Sequence, residues 1–191
     1  RPAHFIQASA MGYFGHREDE LLTESSKPGE GFMAELCKDW EDAAQPMESI
    51  SRLSVLRIAL YLHPKGGFYK ILKSLSPLYL AVAFGSGNQY VNVTSYHLFN
   101  RLVCSILDAD IAPGLYHAVG DKALTLNHLI AEIASANKGK KILPNIPAFL
   151  LSWVLGESST TLLNSTRIES EKLASMDFYD HMELPKVLKA L

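Results

Sequence analysis

A small hydroxyl residue at the end of an apolar strand, followed by a glycine-rich turn and then a single amphipathic helix, constrains this chain most. Ser9-Ala10-Met11-Gly12-Tyr13-Phe14-Gly15 reads as a strand breaking into a turn. Pro28-Gly29 and Gly31 close a polar loop over 16–31, and a helix follows from about Phe32 to Ala44, where Pro46 forbids its continuation. Phe32, Met33, Leu36, Cys37 and Trp40 recur at helical spacing and are expected to face the core, with Glu35, Lys38, Asp39 and Asp42 opposite. Glu41 either orients the loop over the site or is a carboxylate on the solvated face of the helix, the latter being the expectation. A strand, turn and packed helix in this order is how open parallel sheets build ligand sites at their carboxyl edge.

Alternation of buried strands with capped helices continues downstream. Leu53 to Leu60 is a strand, and Gly66-Gly67 opens a helix to Leu75 that Pro77 closes. Tyr90 to Val93 is a short strand, and Tyr96 to Leu107 a helix with one apolar face. Gly114 to Val119 is again a strand, and Thr125 caps a helix over Leu126 to Ala136. Beyond it come a proline-interrupted apolar run, Ile142 to Leu155, and two short helices, Ser170 to Met176 and Glu183 to Leu191. The expected fold is α/β: the second half of a doubly wound parallel, Rossmann-like sheet with a mostly helical C-terminal subdomain. The division falls at 1–140 and 141–191.

Several function classes are excluded at this level. A net charge of -2 and a single short basic cluster, Lys138 with Lys140 and Lys141, make no case for nucleic acid or an anionic membrane. The apolar run from Ile142 is broken by Pro144 and Pro147 and too short to span a bilayer. Cys37 and Cys104 sit in apolar helical patterns and read as buried free thiols of a cytoplasmic protein. The seven histidines include no pair three or four apart and no Cys-x-x-Cys exists, so no metal site is expected. Gly-x-Ser-x-Gly and Gly-Lys-Ser/Thr motifs are absent as well.

Taken together, Ser9 to Gly15, Glu24 with Pro28-Gly29, and Phe32 to Glu41 resemble the extended short-chain dehydrogenase/reductase superfamily. More narrowly they resemble its atypical branch, the sugar-nucleotide epimerase-like or "cell division inhibitor"-like proteins. Arg57, the pair Gly66-Gly67, Gly85-Ser86-Gly87-Asn88-Gln89 and the tail from Lys141 extend the likeness over nearly the whole chain. The resemblance implies an NADP cofactor in preference to NAD, and a small-molecule substrate of the nucleotide-sugar or other carbonyl or hydroxyl class. It also implies that the glycine-rich pyrophosphate turn lies upstream of Arg1, so this chain is expected to be the C-terminal portion of a longer protein, binding no cofactor alone. An exposed sheet edge would then favour a homodimer.

In that superfamily a tyrosine and a lysine four residues later on the active-site helix move the proton, and a serine hydrogen-bonds the substrate. Here the helix offers Phe32 with Leu36, or Met33 with Cys37, and neither pair can transfer a proton. Ser9 and Tyr13 are the remaining catalytic candidates, Ser9 also facing the cofactor; the alternatives are a strand-end serine bonded to backbone and a packed ring. Arg57 either clamps a substrate phosphate or carboxylate or pairs with Glu24 or Glu41 as a brace. Gln89 either reaches the substrate or braces its own loop. The family pattern after the glutamine is broken, Ser95, His97 and Leu98 standing where a histidine and two acidic-turn positions are expected, which removes a favourable helix-dipole contact.

Overall fold

The computed structural model describes residues 1–156, 159–176, 178, 179, 184, 187 and 188. The chain folds around a parallel three-stranded sheet. Strand β1 (His4–Ala10) pairs with β3 (Arg52–Ile58), which pairs on its other side with β7 (Leu115–Ala118), giving the order β1-β3-β7. Between the first two strands lie a 3-10 turn over Met11–Phe14, a two-residue strand β2 (Leu21–Leu22) and helix α1 (Phe32–Ala44). Pro46 diverts the end of α1 into a 3-10 turn, Gln45–Ser49.

Strand parity distributes the core. Leu53 and Val55 pack with Phe5 and Leu115 against Ala44 of α1. Leu56, on the opposite face, packs with Ile6, Tyr116 and Ala118 against Leu98, Leu102 and Ile106 of α3 (Tyr96–Leu107). Helices therefore cover both faces of a parallel sheet, which is the doubly wound arrangement expected from the sequence.

A second layer extends from the carboxyl ends of these strands. Strand β4 (Leu60–Leu62) pairs in parallel with β6 (Val93–Ser95), and β5 (Tyr90–Val91) pairs antiparallel with β8 (Leu124–Thr125). Helices α2 (Gly67–Leu75) and α4 (Leu126–Ala136) seal this layer through Tyr69, Leu72, Leu129, Ile130 and Ile133. Ser95 and Thr125 cap α3 and α4, each hydroxyl accepting from the amide three residues on. The carboxylate missing from the first turn of α3 is thus replaced by a serine cap.

The tail is woven into this body. After α5 (Ala148–Leu155) and α6 (Ser159–Leu163), strand β9 (Arg167–Ile168) pairs in parallel with β2, and Ile168 is fully buried beside Phe14 and Leu22. Helix α7 (Glu171–Ser175), capped by Ser170, inserts Leu173 under α3. The second expected tail helix, over 183–191, lies largely outside the described residues. Among the described residues no helix is long and apolar enough to cross a membrane.

Three expectations are corrected. Trp40 and Phe32 are not core: they are 45% and 75% exposed. The buried stripe of α1 is Ala34, Cys37 and Ala44, with Glu41 completing the 3-4-3 spacing, because the buried guanidinium of Arg57 draws Glu41 inward and Trp40 is one helical step, about 100°, away. Glu41 is accordingly not a solvated carboxylate. Cys37 is buried as expected, whereas Cys104 is exposed on the outer side of α3.

Loop 16–31 is held against the 3-10 turn by close backbone approach. The Gly29 amide donates to the Tyr13 carbonyl at 2.9 Å, and a Cβ at Gly29 would lie 1.9 Å from the Phe14 carbonyl oxygen. Gly29→Ala is therefore expected to cost about 1–3 kcal/mol by overpacking. Gly66→Ala, at an extended position with nothing within 4 Å, should stay within about 0.5 kcal/mol of the parent. Urea midpoints of the two variants check the contrast; equal midpoints would refute it.

Candidate functional site

The site is built where β1 and β3 end. Ser9 is in register with Arg57, and Arg57 with His117, so three polar side chains form a row across three parallel strands on the face covered by α1. All three are buried. Arg57 donates from Nε and Nη2 to the two oxygens of Glu41, at 2.8 Å each, a bidentate pair in which the side chains are 3% and 12% exposed. Ser9 Oγ donates to the same Glu41 carboxylate at 2.6 Å. The guanidinium lies over the Tyr13 ring, 3.4 Å from its centroid, and Tyr13 meets Phe14 edge-on. Thus Ser9, Tyr13 and Arg57 are brought together, with Glu41 at their centre.

His117 extends the row. Its Nδ1 lies 3.2 Å from the Glu169 carbonyl oxygen and its ring meets Phe14 edge-on. Burial holds its pKa below the ordinary histidine value; Glu24 opposes that shift and Arg57 reinforces it. Glu24 caps α7, accepting from the Ser170 hydroxyl and from the Glu171 amide at 3.1 Å, and it also accepts from the His117 amide at 3.4 Å. Cys37 of α1 sits beside this network with its thiol pKa raised, chiefly by burial.

The other face of the same strand ends is open. Ala10 and Ile58, the register pair next to Ser9 and Arg57, border a cavity of about 290 Å³ together with Met11, Gly12, Met33 and Ala59. The outer wall comes from Phe84, Tyr90 to Asn92, Leu126, Leu162, Asn164 and Thr166. A pocket at the carboxyl edge of a parallel sheet is the position this class of fold uses for ligands.

Gln89 is not brought to either group. Its amide donates to the Phe84 carbonyl at 3.0 Å and the Leu162 carbonyl at 3.2 Å, tying its loop to α6 beside a separate shallow depression. Two residues that the sequence reading passed over shape the cavity. Thr94 accepts from the Ala59 amide at 2.9 Å and donates to the Ala118 carbonyl, joining β6 to the ends of β3 and β7. Asn92 exchanges two hydrogen bonds with the backbone of Ile168, at 2.7 and 3.0 Å, and so locks the tail onto the wall. Polar residues inside a short apolar strand were the available signal.

Proton-transfer spacing does occur elsewhere, at Tyr61 with Lys65 and Tyr69 with Lys73. Tyr69 is in the core, its hydroxyl accepting from Asn137 at 3.4 Å, and Tyr61 packs against His63 and Phe99. None of these residues lines the cavity. On α1, Met33 reaches the cavity and Cys37 is buried behind it. Among the described residues, no group of three or more His, Cys, Asp or Glu is placed to hold a metal ion.

Parallel pairing and helices on both faces define a Rossmann-like α/β fold with a cavity at the carboxyl edge of its sheet. No protein-family model matches the chain. The chloroplastic homolog of epimerase family protein SDR39U1 from Arabidopsis thaliana is 24% identical over 178 residues, covering 93% of this chain and 51% of the relative. Epimerase family protein Mb2239 of Mycobacterium bovis is 38% identical over 91 residues, 47% of this chain and 30% of its own length. Human epimerase family protein SDR39U1 (isoform 2), solved with NADPH, superposes with a TM-score of 0.90 at 22% identity, over 99% of this chain and 65% of that one. The resemblance to the atypical, epimerase-like branch of the short-chain dehydrogenase/reductases is borne out by these relatives. The chain spans about half the length of the Arabidopsis relative it matches.

Removing Glu41 leaves Arg57 charged in a dry site. Glu41→Ala is expected to cost about 3–5 kcal/mol, whereas the paired exchange Glu41→Leu with Arg57→Met should recover most of that loss. A double-mutant cycle by chemical denaturation reads the difference; additive single-site losses would overturn the pairing.

Proposed function

We propose that this chain is the substrate-side portion of an atypical NAD(P)-dependent epimerase- or oxidoreductase-like protein. The observation that carries the reading is the cavity at the carboxyl ends of β1 and β3, at the strand edge where parallel α/β folds receive ligands. The bound NADPH of the human relative supports a nicotinamide cofactor for the complete protein, NADP before NAD.

Residues of this chain do not by themselves fit that cofactor. No Gly-x-Gly-x-x-Gly turn joins a strand to a helix; Gly29, Gly85, Gly87 and Gly139 are filled against backbone or side chains, while Gly31 and Gly66, at the starts of α1 and α2, have nothing within 4 Å. No hydride step is therefore routed through this portion. Its own residues supply the cavity and the brace beneath it. Ser9 and Arg57 act on the site by binding Glu41, and Tyr13 by stacking on the Arg57 guanidinium, which together fix the Met11–Gly12 turn.

A second reading is favoured by the helix residues. Met33 and Cys37 replace a proton-moving pair, which suits a scaffold that binds NADP(H) and a ligand without turning it over. Thermal shift and absorbance of the complete protein with NADPH and a panel of carbonyl compounds separate the two. Turnover that falls about 10²-fold in Ser9→Ala, as misplacement of the turn would cause, supports the enzyme. Stabilisation without turnover supports the scaffold, and absence of both overturns the nicotinamide assignment.

Strand β1 pairs with β3 on one side only among the described residues. We assign that edge to pairing with a second copy when the 191-residue chain is alone. Sedimentation velocity is expected to show a dimer; a monomer at high concentration would refute it. The cytoplasm is the compartment this reading places it in.

A further inference from the structure

We infer that the cavity admits an uncharged, largely apolar carbonyl compound or alcohol, and that a nucleoside diphosphate does not enter it. The inference rests on the reading of this cavity as the ligand site.

Its walls decide the chemistry. Met11, Met33, Ile58, Phe84 and Leu126 present hydrocarbon and thioether surface, and no Asp, Glu, Lys, Arg or His stands among the described residues that line it. A diphosphate carries at least two negative charges. Taking such an anion out of water against these walls costs several kcal/mol per charge unless a cation or a cluster of amides meets it. The arginine closest in sequence to the lining, Arg57, precedes Ile58 and so points to the opposite face of the sheet. There its Nε and Nη2 are engaged by Glu41. The cation that the family resemblance would offer to a phosphate is therefore already neutralised, on the wrong side.

Neutral hydrogen-bonding groups are present instead. The Asn92 side-chain amide is committed to Ile168, but among the described residues no partner engages the Asn164 side-chain amide or the Thr166 hydroxyl. Both lie on the segment joining α6 to β9. A donor and acceptor set of this kind orients a ketone oxygen or a hydroxyl in an otherwise apolar pocket. The volume, about 290 Å³, is at the small end for ligand sites.

Methyl-resolved NMR of the 191-residue chain tests this, with 2-nonanone, cyclohexanone and UDP-glucose as probes. The two ketones are expected to shift the methyl signals of Met11, Met33 and Leu126, and UDP-glucose to leave them in place. Met33→Trp, which fills the cavity, should weaken ketone binding about tenfold or more, while Met33→Leu keeps it. Shifts of these methyls by UDP-glucose overturn the inference, as does silence toward both ketones in the parent or unchanged ketone binding in Met33→Trp. Binding is read without nicotinamide, so the two readings fail separately. Ketone shifts with no NADPH stabilisation of the complete protein would remove the cofactor assignment alone. Carbonyl turnover with no ketone shifts here would remove the substrate inference alone.

Discussion

The bidentate pair between Arg57 and Glu41 is the interaction on which the rest of the arrangement depends. It joins the centre strand of the sheet to the helix that crosses it, and Ser9 adds the neighbouring strand to the same carboxylate. Against apolar side chains of equal volume, such a pair contributes little net stability, because two charges had to leave water. What it contributes is uniqueness. Only one rotation of α1 about its axis places Glu41 over Arg57, and that rotation puts Ala34, Cys37 and Ala44 inside and leaves Phe32 and Trp40 outside. The stacking of Tyr13 on the guanidinium then fixes the turn that leads from β1 toward α1.

Much of the fold was legible because local signals agreed with tertiary ones. The bounds of α1, α3 and α4 follow from Pro46, from the apolar period of 96–107 and from the Thr125 cap, each of which acts within one helical turn. Parallel pairing was legible from the alternation of strand and helix. The face of α1 was not. Five apolar residues at helical spacing outweighed a single carboxylate, although a brace from Arg57 to Glu41 was among the readings open to that guanidinium and is the one the fold forms. Cys104 failed for a simpler reason: its helix has one buried face, and at about 100° per residue Cys104 lies roughly opposite the stripe of Leu98, Leu102 and Ile106.

The candidate site was half legible, and strand parity explains which half. Ser9 and Arg57 were found because their chemistry stands out in apolar strands. The cavity was not, because it is made of Ala10, Ile58 and other residues that read as ordinary core, brought together from segments as far apart as Ala10 and Thr166. Asn92 and Thr94 escaped for the opposite reason: short polar side chains in a strand look like solvent-facing positions until the tail strand β9 and the end of β7 are packed on them.

One sheet edge thus carries two incompatible environments one residue apart. On β3, Arg57 faces a charged, closed layer and Ile58 an apolar, open one; on β1, Ser9 and Ala10 divide in the same way. A one-residue slip of either strand would exchange the two, thrusting the guanidinium into the cavity and burying an aliphatic chain against Glu41. The cost of leaving either charge alone makes that slip prohibitive. The ion pair therefore keeps the cavity free of charge as well as holding the helix in place. A binding site whose selectivity is set by what its neighbouring face withholds needs no charged residue of its own.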